Sequence, residues 1–269
     1  MDFRGGTVST PDSCQKGDTV AIWDAVGKGY DRDKYWKGLE NIANLKELLS
    51  HIGDPAGKRI IEVGSGSGFT SIALAGRGAN VAILDISPVS LRYAVAQFEA
   101  CGLPPPEHHE ADALDNGLPS DTYDIVWNGG VIEHFFDEGK KRLIKEMLRI
   151  AKPGGRVVIT VPNAWCWQFQ VMQAWQKLRG TWSFGMEDDM SPRRLAALCG
   201  EIGVTPSETY AFNTVLGWRW VPIIKKIVKY GRMETLERHC RRSWMGFVSV
   251  LVIHKARNPD SLDSPTGGR

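Results

Sequence analysis

An α/β fold, a mostly parallel sheet covered by helices on both faces, is predicted by three observations in this sequence. Short apolar runs of strand length alternate with stretches of helical periodicity along most of the 269 residues. The first run, Ile60-Ile61-Glu62-Val63, opens into the glycine-rich turn Gly64-Ser65-Gly66-Ser67-Gly68. The second, Leu84-Asp85-Ile86, places a carboxylate seventeen positions after Gly68. A strand, a glycine turn and a second strand ending in an acid describe a nucleotide pocket. Glycine lets backbone come close to a ligand and adopt dihedrals closed to other residues.

The elements follow in order. Residues 41–52 place Ile42, Leu45, Leu48 and Leu49 at helical spacing, and 58–63 form the first strand. A helix over 69–75 leaves the turn, 81–85 is the second strand, and Ser87-Pro88 opens the next helix with an N-cap and a proline at the first helical position. Residues 107–110, behind three prolines, read as a third strand, and 123–128 as a fourth. Asp137 is expected to cap a helix with Leu143, Ile144, Met147 and Leu148 on its inner face, stopped at Lys152-Pro153-Gly154. Residues 156–161 make a fifth strand. Ser191-Pro192 starts another capped helix, and 208–212 and 246–254 are two late strands.

Two segments, 163–190 and 214–245, are surplus to this alternation, and loops this long in a compact domain usually form lids or binding elements. Seven of the ten tryptophans fall in them (165, 167, 175, 182, 218, 220 and 244). An aromatic cap over a substrate is the expectation, with packing of a small helical subdomain as the alternative. Both segments leave the sheet where they can approach the carboxyl ends of its strands, the ligand-binding edge of open α/β sheets.

The turn also selects the nucleotide. A dinucleotide site asks for G-x-G-x-x-G facing a pyrophosphate. Here the pattern is E-x-G-x-G-x-G, and Glu62 would repel phosphate and suit a cation.

Glu62 through Gly68 and Asp85 resemble the first two motifs of class I S-adenosylmethionine-dependent methyltransferases, of the small-molecule, type 11-like kind. Asp112 in Glu110-Ala111-Asp112-Ala113, the run Tyr123-Asp124-Ile125-Val126-Trp127-Asn128, and Lys152-Pro153-Gly154-Gly155 before the fifth strand continue the likeness across 58–161. The resemblance implies a Rossmann-like, seven-stranded, mostly parallel sheet with an antiparallel last strand and a helical aromatic lid. It implies S-adenosyl-L-methionine as cofactor. Glu62 then orients the amino group of the methionine moiety, with the backbone of Gly64, Ser65 and Gly66 alongside. Asp85 accepts from both ribose hydroxyls, and Ile86 packs on the adenine. Asp112, next to Ala113, accepts from the adenine amino group, with Asp115 as a register alternative. Asn128 and Gly129 line the sulfonium side, and Tyr30 closes over the cofactor.

Beyond that loop, Glu133-His134 resembles a pair found in many small-molecule methyltransferases. For His134 a general base, a substrate-contacting or loop-fixing role, and passive packing all stand open. Glu133 is expected to hold a helix start or nearby backbone.

Composition adds bounds. The formal charge is +2, but residues 214–245 carry eight Lys or Arg against two Glu. An amphipathic helix over 222–230, lysines opposite isoleucines, reads either as a lid or as a peripheral membrane contact through 218–230. No nucleic-acid module and no metal site are indicated. Five widely spaced cysteines without a C-x-x-C fit a reducing cytoplasm. Neither a signal peptide nor an apolar run of membrane-spanning length is read. Residues 1–18 and 256–269 are expected to be mobile, flanking one domain over 19–255. Oligomeric state is left open.

The expected function is methyl transfer from S-adenosylmethionine to a small, largely apolar or aromatic acceptor, with oxygen as nucleophile. Carbon or nitrogen methylation of a lipid or quinone-like precursor is the alternative among enzymes. A non-catalytic cofactor-binding partner of another methyltransferase, and a nicotinamide-dependent oxidoreductase, are the further readings.

Overall fold

The computed structural model describes residues 12–32, 39–218, 221 and 242–257. The expectations for 1–11, for the amphipathic stretch 222–230 and for the tail from 258 onward lie outside the described residues. Helix α1 (Asp12–Lys28) and α2 (Leu39–Ile52) precede strand β1 (Arg59–Val63). Then come α3 (Phe69–Ala75), β2 (Asn80–Asp85), α4 (Pro88–Ala100), β3 (Glu107–Glu110) and β4 (Tyr123–Gly129). A single 3-10 turn, Ile132–His134, leads to α5 (Asp137–Ile150) and β5 (Ala151–Pro162). The described elements end with α6 (Trp167–Leu178), α7 (Pro192–Glu201), β6 (Glu208–Phe212), the short α8 (Thr214–Gly217) and β7 (Val248–His254).

The seven strands lie in the order β3-β2-β1-β4-β5-β7-β6. The first five in this order pair in parallel, and β7 runs antiparallel between β5 and β6. Chain order reverses between β1 and β4, so a crevice opens above their carboxyl ends, the place where such sheets bind ligands.

Both faces of the sheet are buried, as the near-continuous apolar runs of the central strands require. One face packs Ile61, Val63, Val126 and Val157 against Leu143, Ile144 and Met147 of α5 and Leu195 and Leu198 of α7. The other packs Ile60, Ile125 and Val158 against Leu45 and Leu48 of α2 and Leu74 of α3. At the far edge, the hydroxyl of Tyr210 on β6 is hydrogen-bonded between His51 and Glu47 of α2, which gives His51 a structural partner.

Local signals set the boundaries. Ser87 caps α4, its Oγ accepting from the N–H of Ser90 at 3.1 Å, and Ser191 caps α7 in the same way from Arg194 at 3.3 Å. Such caps contribute about 1 kcal/mol each.

Two expectations are corrected. Asp137 is the first residue of α5 rather than its cap; Phe136 holds the cap position, and the Asp137 carboxylate pairs with Arg194 at 2.7 Å. The fifth strand, expected over 156–161, begins earlier: α5 ends at Ile150 and the chain passes directly into β5 at Ala151. Residues 12–18 lie in α1.

Candidate active site

A cavity of about 1730 Å³ opens at the carboxyl ends of β1, β2 and β4. Small-molecule sites usually occupy roughly 300–1000 Å³, so this one has room for two ligands side by side.

Its inner end is built by the β1–α3 turn. Gly64, Gly66 and Gly68 all have positive φ, at 75°, 50° and 69°. A side chain on Gly64 would overlap the Val131 methyl group, and one on Gly66 would lie 2.8 Å from the Tyr30 hydroxyl. The turn therefore presents bare backbone, and Tyr30 is placed directly over it.

Glu62 is buried on β1 and lines the cavity. One of its oxygens accepts from the backbone N–H of Ser71 at 3.2 Å and from the Ser71 hydroxyl. Burial pushes its carboxyl up to about 8; the Ser71 bonds oppose the rise and the charge of Asp85 adds to it. A buried carboxyl in this condition lacks a cation. Ser65 Oγ, also buried and on the wall, has no hydrogen-bond partner among the described residues.

Asp85 ends β2. Its Oδ1 accepts from the N–H of Ser87 at 2.9 Å and its Oδ2 from Gly66 at 2.8 Å. Burial raises this carboxyl as well, against those backbone bonds. The two bonds fix the carboxylate in one orientation and leave lone pairs on both oxygens for further donors. Ile86, Asp112, Ala113 and Gly129 continue the same wall. Asp112 folds its own loop by accepting from the N–H of Leu114 at 2.9 Å, and Ala111 donates to the Asp85 carbonyl at 3.1 Å. Asp115 also faces the cavity, with Arg142 at 3.5 Å.

Asn128 is the exception among the expected wall residues. Its side chain is fully buried and donates to the Val63 carbonyl at 2.9 Å. It sits on β4 pointing across to β1 and locks the two strands at the switch point, so its amide does not face the cavity.

The outer end is organised by the turn Ile132–His134. His134 Nδ1 lies 2.9 Å from the Met186 carbonyl, so it carries the proton and leaves Nε2 as the acceptor. Nε2 is 3.9 Å from a carboxyl oxygen of Glu187, and the Trp23 ring meets the imidazole edge-on at 4.8 Å. Burial holds the imidazole below its ordinary value, with the carbonyls of Met186 and Gly130 opposing. Burial and the neighbouring Asp189 bring Glu187 up to about 7. Glu133 is buried behind them, burial raising its carboxyl well above the ordinary range, and its Oε2 has no partner among the described residues. The backbone carbonyl of Glu133 accepts from the N–H of Asp188 at 2.8 Å. The Glu133-His134 pair and the strap 186–189 are thus stitched together.

The strap is in turn anchored by charge. Asp188 pairs with the fully buried ammonium of Lys140 on α5 and, at 2.7 Å, with Arg194 on α7. The remaining outer wall is aromatic and apolar: Phe169, Met172, Trp182, Phe184 and Phe247. The rings of Phe169 and Trp182 lie 6.3 Å apart, and those of Trp182 and Phe184 5.3 Å.

Two contributors were not anticipated from the sequence. Helix α1 brings Thr19, Ile22, Trp23 and Val26 to the cavity, held there by a hydrogen bond from Ser87 to Asp24 at 2.6 Å. Glu187 comes from an irregular segment where a carboxylate reads as surface. Among the described residues, no group of three His, Cys, Asp or Glu could hold a metal ion.

Comparison with known proteins agrees with this geometry. Residues 61–159 match a family described as a methyltransferase domain. The chain is 32% identical over 148 residues to a demethylmenaquinone methyltransferase of Clavibacter sepedonicus, covering 55% of this chain and 59% of that protein. It is 28% identical over 215 residues to a ubiquinone biosynthesis O-methyltransferase of Pseudomonas fluorescens, covering 77% and 88%. Magnesium protoporphyrin IX methyltransferase from Synechocystis, solved with bound S-adenosylhomocysteine, superposes with a TM-score of 0.60 over 90% of this chain and 99% of that one, at 16% identity. The chain spans less than two thirds of the first of these relatives. The fold is the α/β, Rossmann-like methyltransferase fold. Residues 61–159 are similar to a methyltransferase domain, and the fold is shared with solved S-adenosylmethionine-dependent methyltransferases.

Proposed function

We propose that this protein transfers the methyl group of S-adenosylmethionine to an oxygen of a small, largely apolar or aromatic acceptor. The observation that carries this reading is one continuous cavity. Its inner end is a carboxylate-and-glycine cradle for a cationic nucleoside, its outer end is aromatic, and His134 stands between them. The printed names of the relatives, an O-methyltransferase of ubiquinone biosynthesis and a demethylmenaquinone methyltransferase, support an acceptor of that character.

Glu62 would receive the ammonium of the cofactor, the backbone of Gly64 to Gly66 its amino-acid moiety, Asp85 its ribose and Asp112 its adenine. Bound there, the cofactor supplies a methyl group on a positive sulfonium that loses charge as the methyl leaves. The aromatic wall excludes water and holds the acceptor oxygen in line, where positioning supplies much of the rate. His134 Nε2 takes the hydroxyl proton, and the nearby Glu187 carboxyl steadies the imidazolium that forms. The segment 163–190, with Trp182 and Phe184, acts as the lid over that chamber; the corresponding expectation for 219–220 and 222–241 lies outside the described residues. The carboxyls of Glu133 and Glu187 favour one further reading, an amine acceptor, because a cation would find partners beside the same histidine.

Production of S-adenosylhomocysteine from a panel of phenolic, amine and carbon acceptors tests the proposal. Phenolic turnover is expected to rise with pH through a value below 6.5, where the buried imidazole loses its proton, and then to level. His134→Gln is expected to remove that limb and lower turnover by about 10²-fold. Turnover confined to amine or carbon acceptors, an unchanged profile in H134Q, or cofactor binding with no turnover on any acceptor would each overturn the oxygen reading.

A further inference from the structure

Helix α6 carries an apolar stripe on its outer face and glutamines on its inner one. Its inner side mixes the buried Phe169 and the partly buried Met172 with the buried Gln168 and Gln173 and the half-buried Gln170; Gln170 donates to Asp189 at 2.6 Å and Gln173 to Glu187 at 2.8 Å. Its outer side carries Trp167, Val171, Trp175 and Leu178, which are 48%, 61%, 57% and 81% exposed. Those four fall at i, i+4, i+8 and i+11, one stripe along the helix. A surface helix of a globular protein normally carries polar residues on its outer face.

Gln176, next to Trp175 on the same helix, lines the cavity, and other exposed apolar groups line it too. Ile22, Phe184 and Met186 are exposed and also line the cavity, and Gly185 lies within 3.4 Å of Ile22 as judged from its Cβ direction. Along 163–186, ahead of the acids Glu187 to Asp189, of which Glu187 and Asp189 face the inner side of α6, the charge has one sign. From Asn163 to Met186 the only charged residues are Lys177 and Arg179, at the carboxyl end of α6. Lys177 turns back to Gln173 at 3.1 Å, whereas Arg179 is exposed and lies 5.6 Å from the Trp175 ring centre. Tryptophans at a polar boundary, aliphatic groups and basic residues without acids match an interfacial lipid-binding face.

We propose that the outer face of α6 seats the protein on an anionic lipid bilayer, with the cavity mouth opening at the same surface. Among the described residues no helix is long and apolar enough to cross a membrane, so the contact is peripheral. The proposal deepens the reading of an apolar acceptor, since such a molecule dissolved in lipid would reach the aromatic chamber without passing through water. It does not depend on which atom is methylated.

Co-sedimentation of the full chain with vesicles tests it. One set is phosphatidylcholine alone, and in the other about a third of the lipid is phosphatidylglycerol. The wild type is expected to pellet with the anionic set. The double variant Trp175→Ser/Leu178→Ser is expected to bind at least about tenfold more weakly, and Arg179→Glu to lose binding to the anionic set. All variants should bind S-adenosylhomocysteine as the wild type does, which separates this test from the cofactor assignment. No vesicle binding by a wild type that takes up S-adenosylhomocysteine overturns the proposal. Undiminished binding by the double variant does so too, because the contact then lies elsewhere. A wild-type dimer that the double variant converts to monomer, with no vesicle binding, would assign the face to a second copy of the chain instead.

Discussion

Glu62 is a buried carboxyl on the cavity wall, and the proposed function gives it a cation as partner. Its ordinary value is near 4.5, and in the folded, ligand-free protein it stands at about 8. With the folded value raised, both states are protonated below about 4.5 and the carboxyl costs nothing. As pH climbs towards 8 the unfolded chain ionises first, and stability is lost across that window. A bound ammonium reverses the sign locally: S-adenosylhomocysteine affinity should increase as pH rises towards 8, and binding at pH 7 should release a proton. Calorimetry in buffers of different ionisation enthalpy measures that proton. Glu62→Gln should abolish the release and weaken binding roughly tenfold to a hundredfold, the value of a hydrogen bond to a charged group. An E62Q protein that binds equally well would remove Glu62 from this role. The residue was legible because a lone acid inside an apolar strand has few structural uses. Asn128 was misread because its place after the fourth strand was visible and its direction was not; a one-residue difference in pleat decides which way a side chain faces.

Among the elements, β1, β2, β4 and the β1–α3 turn were legible because strand length, glycine position and a terminal acid are local signals. Helix α1 was not, since it covers a ligand site rather than the core and so carries no continuous apolar stripe. The strap 186–189 was hidden for another reason: its structure is imposed from a distance by Lys140 and Arg194, which are 48 and 6 residues away from Asp188. Lys140→Ala leaves Asp188 without its buried ammonium and frees the strap that holds Met186 against His134. Breaking a buried pair costs roughly 3–5 kcal/mol, and the half-exposed Asp188 puts this one near the lower end, about 3 kcal/mol. Chemical denaturation reads that loss. A variant within 0.5 kcal/mol of wild type, the range of about 0.5 kcal/mol usual for neutral surface changes, would show that the strap is not held this way.

At the scale of the molecule, the sheet order sets everything else. The reversal between β1 and β4 opens the crevice, and Glu62, Asp85 and Gly129 stand at or near three neighbouring strand ends around it. The outer chamber is formed by segments that lie over that edge, α1 near the start of the chain and α6 with 182–187 after the fifth strand. The central claim is that this crevice is a site for a positively charged nucleoside without phosphate. Titration calorimetry of the purified full chain with S-adenosylhomocysteine, and with NAD as competitor, addresses it directly. One S-adenosylhomocysteine per chain, unaffected by NAD, is the expected result; a folded protein that shows no heat with S-adenosylhomocysteine, or that gives it up to NAD, contradicts the claim.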